Sequence, residues 1–189
     1  MNTPPRSIDL SNQFLIAMPG MEDSIFSGTL VLVCEHTEKG ALGVVVNRPI
    51  ELNLGELFDK VDLTLGESPK AEAPVYFGGP VQTGRGFVVH EAGFQYSSTL
   101  DVGEMALTTS RDLLEAVARG EGPERFLVTV GYTGWDAGQL EQELASNAWL
   151  TVGATAAIVF DTPAEQRLNS ALSLLGVAPH TLTGVAGHA

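Results

Sequence analysis

Apolar residues in this chain come first in short, dense, β-branched runs and only later at helical spacing. "QFLIAMPG" (13–20) is an apolar run closed by Pro-Gly, the pattern of a strand entering a turn. "GTLVLVCEH" (28–36) reads as a buried strand, "TEKG" as a polar turn and "ALGVVVN" (41–47) as a second strand. Two apolar runs around a short glycine-containing loop predict a β-hairpin. Pro49 closes it, because proline has no N–H for a sheet ladder. In "LNLGELFDKV" (52–61) the apolar positions Leu54, Leu57, Phe58 and Val61 have helical spacing. "VYFGG" (75–79) and "GFVVHE" (86–91) are predicted as strands flanking the glycine-rich turn "GGPVQTGRG" (78–86), whose plainest reading is a hairpin connection. "MALTTS" (105–110), "RFLVTVGY" (125–132) and "WLTVGATAAIVF" (149–160) supply further strand regions.

Three helices carry start signals. "TSRDLLEAVARG" offers Thr109 or Ser110 as cap and Gly120 past the end. "DAGQLEQELASN" offers Asp136 as cap with Gln139 three residues on, a capping-box spacing. "TPAEQRLNSALSLLG" offers Thr162 as cap, Pro163 at the first helical position and Gly176 as terminator. Strands precede helices without a regular βαβ rhythm, and the first hairpin cannot be two parallel neighbours. The expected class is α+β with a mixed sheet curled toward a barrel-like core. Val31, Val33, Val44, Val46, Phe77, Val88, Leu127, Val128 and Ile158 are the expected core. A chain of 189 residues without a visible linker is read as one domain, with residues 1–10 a loose arm.

Composition narrows the function classes. Apolar residues make up 44% of the chain, enough for a sizeable core. Ten Lys and Arg against 23 Asp and Glu give a formal charge of −13. Phosphate binding draws on Lys and Arg, so direct nucleic-acid binding is disfavoured. The polar start "MNTPPRSIDLSNQ" does not resemble a signal peptide, and no apolar run approaches the ~20 residues of a membrane helix. One cysteine cannot form an intrachain disulfide, which suits a reducing compartment. A cytoplasmic, membrane-free protein is expected.

The order "FLIAMPGMEDSIFSGTLVLVCEHTEKGALGVVVNRP", "VYFGGPV…GRGFVVHE", "GYTGWDAGQLEQELASNAWL" and a terminal "GVAGHA" resembles the YqgE/AlgH family of small bacterial proteins, over about residues 13–189. The resemblance implies an α+β fold whose mostly antiparallel sheet forms a bifurcated pseudo-barrel with helices outside. One branch of that family is linked by name to transcriptional control of alginate production, so a regulatory or adaptor role is implied. The resemblance also implies a tryptophan early in the last helix, where this chain has Arg167-Leu168.

Candidate chemistry is sparse. Cys34 and His36 lie two apart on a predicted strand, on one face and roughly 6.6 Å apart. A thiol beside an imidazole can become a nucleophilic thiolate, which gives the alternative function of a thiol redox switch or hydrolase-like enzyme. Cys34 sits in an apolar run, however, and the preferred reading is core packing. The glycines of "GGPVQTGRG" could cradle an anion through backbone N–H groups, but the run lacks the lysine and helix of a P-loop. Trp135 in "GYTGWDAGQLEQE" is a core anchor or a partner-binding residue. Glu141 and Glu143, two apart on a helix, point to different faces. Arg48 in "NRP" is a structural partner or an anion clamp. The four histidines, His36, His90, His180 and His188, have no short-range ligand spacing, so neither metal nor cofactor is expected. No catalytic residue is assigned. The expected functional surface is composite: His36, Asn47, Arg48, Gly78, Gly79, Pro80, Gly131, Tyr132, Gly134 and Trp135, serving a protein or small-ligand partner.

Overall fold

The computed structural model describes residues 8–19 and 25–177. Most of the expected N-terminal arm, the terminal "GVAGHA", His180 and His188 lie outside the described residues.

The strands are β1 (Gln13–Ala17), β2 (Leu30–Thr37), β3 (Gly40–Val45), β4 (Pro49–Asn53), β5 (Pro74–Phe77), β6 (Val81–Glu91), β7 (Leu100–Val102), β8 (Met105–Thr108), β9 (Phe126–Asp136) and β10 (Trp149–Gly153). The helices are α1 (Leu54–Lys60), α2 (Arg111–Ala118), α3 (Gln139–Ala145) and α4 (Ala164–Leu174), with a 3-10 turn at Pro69–Glu72 and a π-helical turn at Ala157–Asp161. All strands belong to one sheet, ordered β10-β1-β2-β3-β9-β6-β8-β7, with β4 and β5 attached beside β9. Every pairing is antiparallel except β5 with β9. Strand β7, at the far end, comes back against β2, so the sheet curls into a half-barrel.

Strand β9 is where the sheet divides. Its residues Thr129 and Val130 pair with β5 on one edge and β6 on the other. Beyond Tyr132 the first edge passes to β3, with Thr133 opposite Gly43 and Asp136 opposite Gly40.

Both faces of this sheet are covered, which is why "LVLVC" reads as an unbroken apolar run. Leu30, Leu32 and Cys34 face the inner core with Phe14, Val44, Phe87 and Met105, which α4 closes with Ala171 and Leu172. Val31 and Val33 face an outer cluster with Leu15, Trp135, Trp149 and Leu140 of α3. A third cluster seats α1 and α2 on Val88 and Val128 through Phe58 and Leu113.

The predicted hairpin at 28–47 forms as β2 and β3. Eight of the nine expected core residues are buried, and Phe77 is half-exposed at the end of the short strand β5. Gly176 ends α4 as predicted: with φ +72°, it lets the Gly176 and Val177 N–H groups bond back to Ser173 and Leu172.

Other expectations are corrected. The turn "GGPVQTGRG" does not connect a hairpin, because β5 and β6 pair with opposite edges of β9 and not with each other. Most of it is strand β6. Residues 149–160 are strand only to Gly153, and Ile158 reaches the core from a π-helical turn. The helix predicted within 52–61 forms as α1 from Leu54, while residues 49–53 form strand β4, and Asn53 caps α1 by accepting the Glu56 N–H at 2.8 Å. Asp136 is the last residue of β9 and does not cap α3. Gly138 stands at that cap with φ +78°, while the Gln139 side chain reaches back to the Asp136 N–H. Thr162 does not cap α4 either. Its hydroxyl donates to the Ala157 carbonyl of the preceding turn, and Pro163 occupies the cap position.

Candidate functional site

The geometry begins with a bulge in β2. Val33 is opposite Gly43 in β3, yet Glu35 is opposite Leu42, so Cys34 and Glu35 together face a single partner. An extra residue reverses the inward-outward alternation beyond it. Cys34 therefore packs into the inner core, while His36 turns to the outer side. The expectation that Cys34 and His36 share a face fails for this reason. Burial, with the neighbouring Glu35 charge, pushes the Cys34 thiol up to about 12, the reverse of an activated thiolate. Its sulfur has one weak contact, to the Leu32 carbonyl at 3.7 Å.

His36 is a fastener. Its Nδ1 accepts the Leu10 N–H at 3.0 Å, so the ring proton sits on Nε2 and is donated to Glu141 Oε1 at 2.5 Å. Glu141's own backbone N–H, and then His36, hold the Glu141 carboxyl below its usual range. On the other side of α3, Glu143 Oε1 accepts the indole N–H of Trp135 at 3.4 Å and of Trp149 at 3.3 Å. The two carboxylates indeed point to different faces, and between them they tie α3 to the sheet. Sequence reasoning had no signal for these partners, since His36 and Glu141 are 105 positions apart.

Asn47 and Arg48 pin the segment that precedes β2. Asn47 accepts the Leu30 N–H at 2.8 Å and donates to the Gly28 carbonyl at 3.0 Å. Arg48 donates to the carbonyls of Ile25 and Ser27, at 2.9 and 2.5 Å. Gly78, Gly79 and Gly131 allow two backbones to cross at the division of the sheet. A Cβ on Gly78 or Gly79 would meet the backbone of Gly131 or Tyr132, and one on Gly131 would meet the Gly79 carbonyl. Pro80 follows at the exposed edge.

Tyr132, Gly134 and Trp135 lie on β9 itself, so "GYTGW" is strand throughout. They line an open cleft of about 480 Å³ together with Glu35, Leu42 and Lys39. Glu35, Leu42 and Gly134 are in register across three adjacent strands and form its floor. Tyr132 forms a wall, held edge-to-face by Phe87 with ring centres 5.3 Å apart. Gly134 is exposed and has no side chain to fill the floor. A second cleft of about 450 Å³ lies across Trp135, lined by Phe26, Gln142 and Glu143. Among the described residues no group of three His, Cys, Asp or Glu could hold a metal ion, and no helix is long and apolar enough to cross a membrane.

A family model described as AlgH-like matches residues 14–180. This chain belongs to the AlgH-like family. Among its relatives, a UPF0301 protein of Ralstonia nicotianae is 60% identical over 190 residues, all of both chains. A UPF0301 protein of Burkholderia multivorans is 58% identical over 192 residues, again all of both. The solution structure of the AlgH protein from Pseudomonas aeruginosa matches with a TM-score of 0.80 at 49% identity, covering 100% of each chain. A Corynebacterium diphtheriae protein, DIP2367, shares the fold with a TM-score of 0.67 at 19% identity, over 87% of this chain and 88% of that one. The AlgH-like sheet is thus the half-barrel expected from the resemblance.

Proposed function

We propose that this AlgH-like protein is a cytoplasmic regulatory or adaptor protein that docks a segment of a protein partner in the cleft over Gly134. The observation that carries the reading is the floor of that cleft. An exposed glycine on a rigid central strand lets another chain approach the sheet closely, and Tyr132 beside it supplies an aromatic wall. Glu35 and Asp136 outnumber Lys39 around it, in a chain of charge −13, which favours a basic segment. Any influence on transcription then runs through the partner and not through direct DNA contact.

The test compares capture from a lysate of the source bacterium by tagged wild-type protein and by Gly134→Arg. Gly134 has an ordinary backbone conformation, and an added Cβ would approach nothing nearer than the Tyr132 ring at 3.3 Å, so the variant is expected to fold. A partner retained by the wild type and lost from Gly134→Arg supports the reading. Equal capture by both refutes it. A mobility-shift titration at low salt is expected to show no DNA binding, and a salt-dependent shift would overturn regulation through a partner alone.

A further inference from the structure

The glycine-rich run that fails to make a hairpin has another use. In β6, Val81 is opposite Tyr132 and Gly86 is opposite Val130, so residues 82–85 bulge out against Gly131 alone. A bulge re-aims side chains, and this one carries Arg85 to the start of α2. There Gly84, Arg85 and Gly86 meet Thr109, Ser110 and Arg111 around a pocket of about 190 Å³. Two of the chain's ten basic residues converge at this mouth, although the chain is strongly acidic overall. Arg85 lies over the Phe87 ring at 5.8 Å and reaches Thr109 Oγ1 at 3.4 Å. Among the described residues it forms no ion pair. Arg111 is engaged through Nε with Glu115.

Below the mouth the pocket is apolar. Leu57 and Val61 wall it from the α1 end, Leu114 from α2, and Val88, Val128 and Val130 form its base. The volume holds roughly six water-sized groups at about 30 Å³ each. Asp112 opposes a highly charged ligand, but its carboxylate is turned to the Ser97 N–H and hydroxyl and to the Ser110 hydroxyl. Asp112 Oδ1 also accepts the Leu113 N–H of the first turn of α2 at 3.1 Å, so attraction for an anion at this mouth comes from the two arginines.

We infer that this pocket binds a small amphipathic monocarboxylate, with its carboxylate on Arg85 and Arg111 and its short hydrocarbon chain between α1, α2 and β9. An arginine fork matches a carboxylate geometrically, and an apolar base takes the tail. The site is separate from the cleft over Gly134 and does not depend on the function proposed for it.

Hexanoate is the probe, titrated into isotope-labelled full-length protein and followed by amide chemical shifts. The expected result is saturable shifts at Gly84, Gly86, Thr109 and Ser110. Hexan-1-ol, which lacks the charge, and acetate, which lacks the tail, are each expected to bind about tenfold more weakly or worse. Arg85→Gln, at an exposed site, should keep the native spectrum and weaken hexanoate by about tenfold. Three results each overturn the inference: no shifts at these amides, equal binding of hexanoate and hexan-1-ol, or unchanged affinity in Arg85→Gln.

Discussion

Arg167 stands where the family resemblance implies a tryptophan, and it is the most testable structural element of the protein. It is 6% exposed, near the start of α4. Its Nη1 donates to the Val46 carbonyl at 2.6 Å, its Nε donates to the Thr162 carbonyl at 2.9 Å, and its guanidinium lies 5.0 Å from the centre of the Tyr76 ring. It therefore joins the end of β3, β5 and α4 through groups distant in sequence. Arg167→Met keeps the apolar stem and removes the donors. The buried Val46 carbonyl then loses its partner, at about 1–3 kcal/mol. Thr162 is half-exposed and can turn to water, so its loss is about 0.5–1 kcal/mol. The ring contact adds about 0.5–2 kcal/mol. Relief from burying a charge offsets part of this, leaving a net loss of about 2–4 kcal/mol. Urea unfolding read by the fluorescence of Trp135 and Trp149 should show the midpoint falling at constant slope. Arg167→Lys, which keeps the charge and can reach one carbonyl, should lose less. A change below about 0.5 kcal/mol in Arg167→Met would refute the view that the guanidinium holds α4 on the sheet.

Other expectations follow from the same geometry. Cys34, with its thiol pushed up to about 12 by burial, should resist alkylation at pH 8 until denaturant is added, and rapid labelling of the native protein would revive the thiol-switch reading. Buried His90 is held neutral between Thr108 and the Glu91 carbonyl, and burial lowers its pKa below the ordinary 6.5 against the pull of Glu91 and Asp101. The unfolded chain therefore takes up the proton first as pH falls below 6.5, so stability should be full above that pH and decline below it. His90→Gln should flatten the decline, and an unchanged slope in thermal melts across pH 7 to 5 would contradict it. Gly79→Ala, at φ +155° with its Cβ against the Tyr132 backbone, should cost about 2–4 kcal/mol, whereas Gly84→Ala, with nothing within 4 Å, should be nearly neutral in the same urea assay.

How much of this was legible in the sequence depends on the range of the interaction involved. The β2–β3 hairpin, the Gly176 stop and the apolar strands of the core were readable because each is set by neighbours within a few residues. The continuous run "LVLVC" announced a strand buried on both faces, and the family motifs announced the α+β half-barrel. Local signals misled where a competing contact lay elsewhere. Thr162 has the spacing of a cap, but its hydroxyl is drawn to the Ala157 carbonyl of a π-helical turn that no periodicity revealed. The glycines at 78–86 read as a hairpin because sequence proximity suggested that β5 and β6 pair. The structure inserts β9 between them, and the glycines serve instead to let Gly78 and Gly79 cross Gly131. One extra residue in β2 separates Cys34 from His36, and that bulge is visible only in the pairing of β2 with β3. His36, Tyr132, Gly134 and Trp135 were named from the sequence, Arg85 and Arg111 were not, and the grouping of all of them was decided by the fold. Tyr132 and Glu35 line one cleft, His36 meets Glu141 across 105 positions, and Arg85 and Arg111 line one pocket because α2 packs beside β6. Those meetings depend on long-range register and packing, which a pattern of near neighbours does not encode.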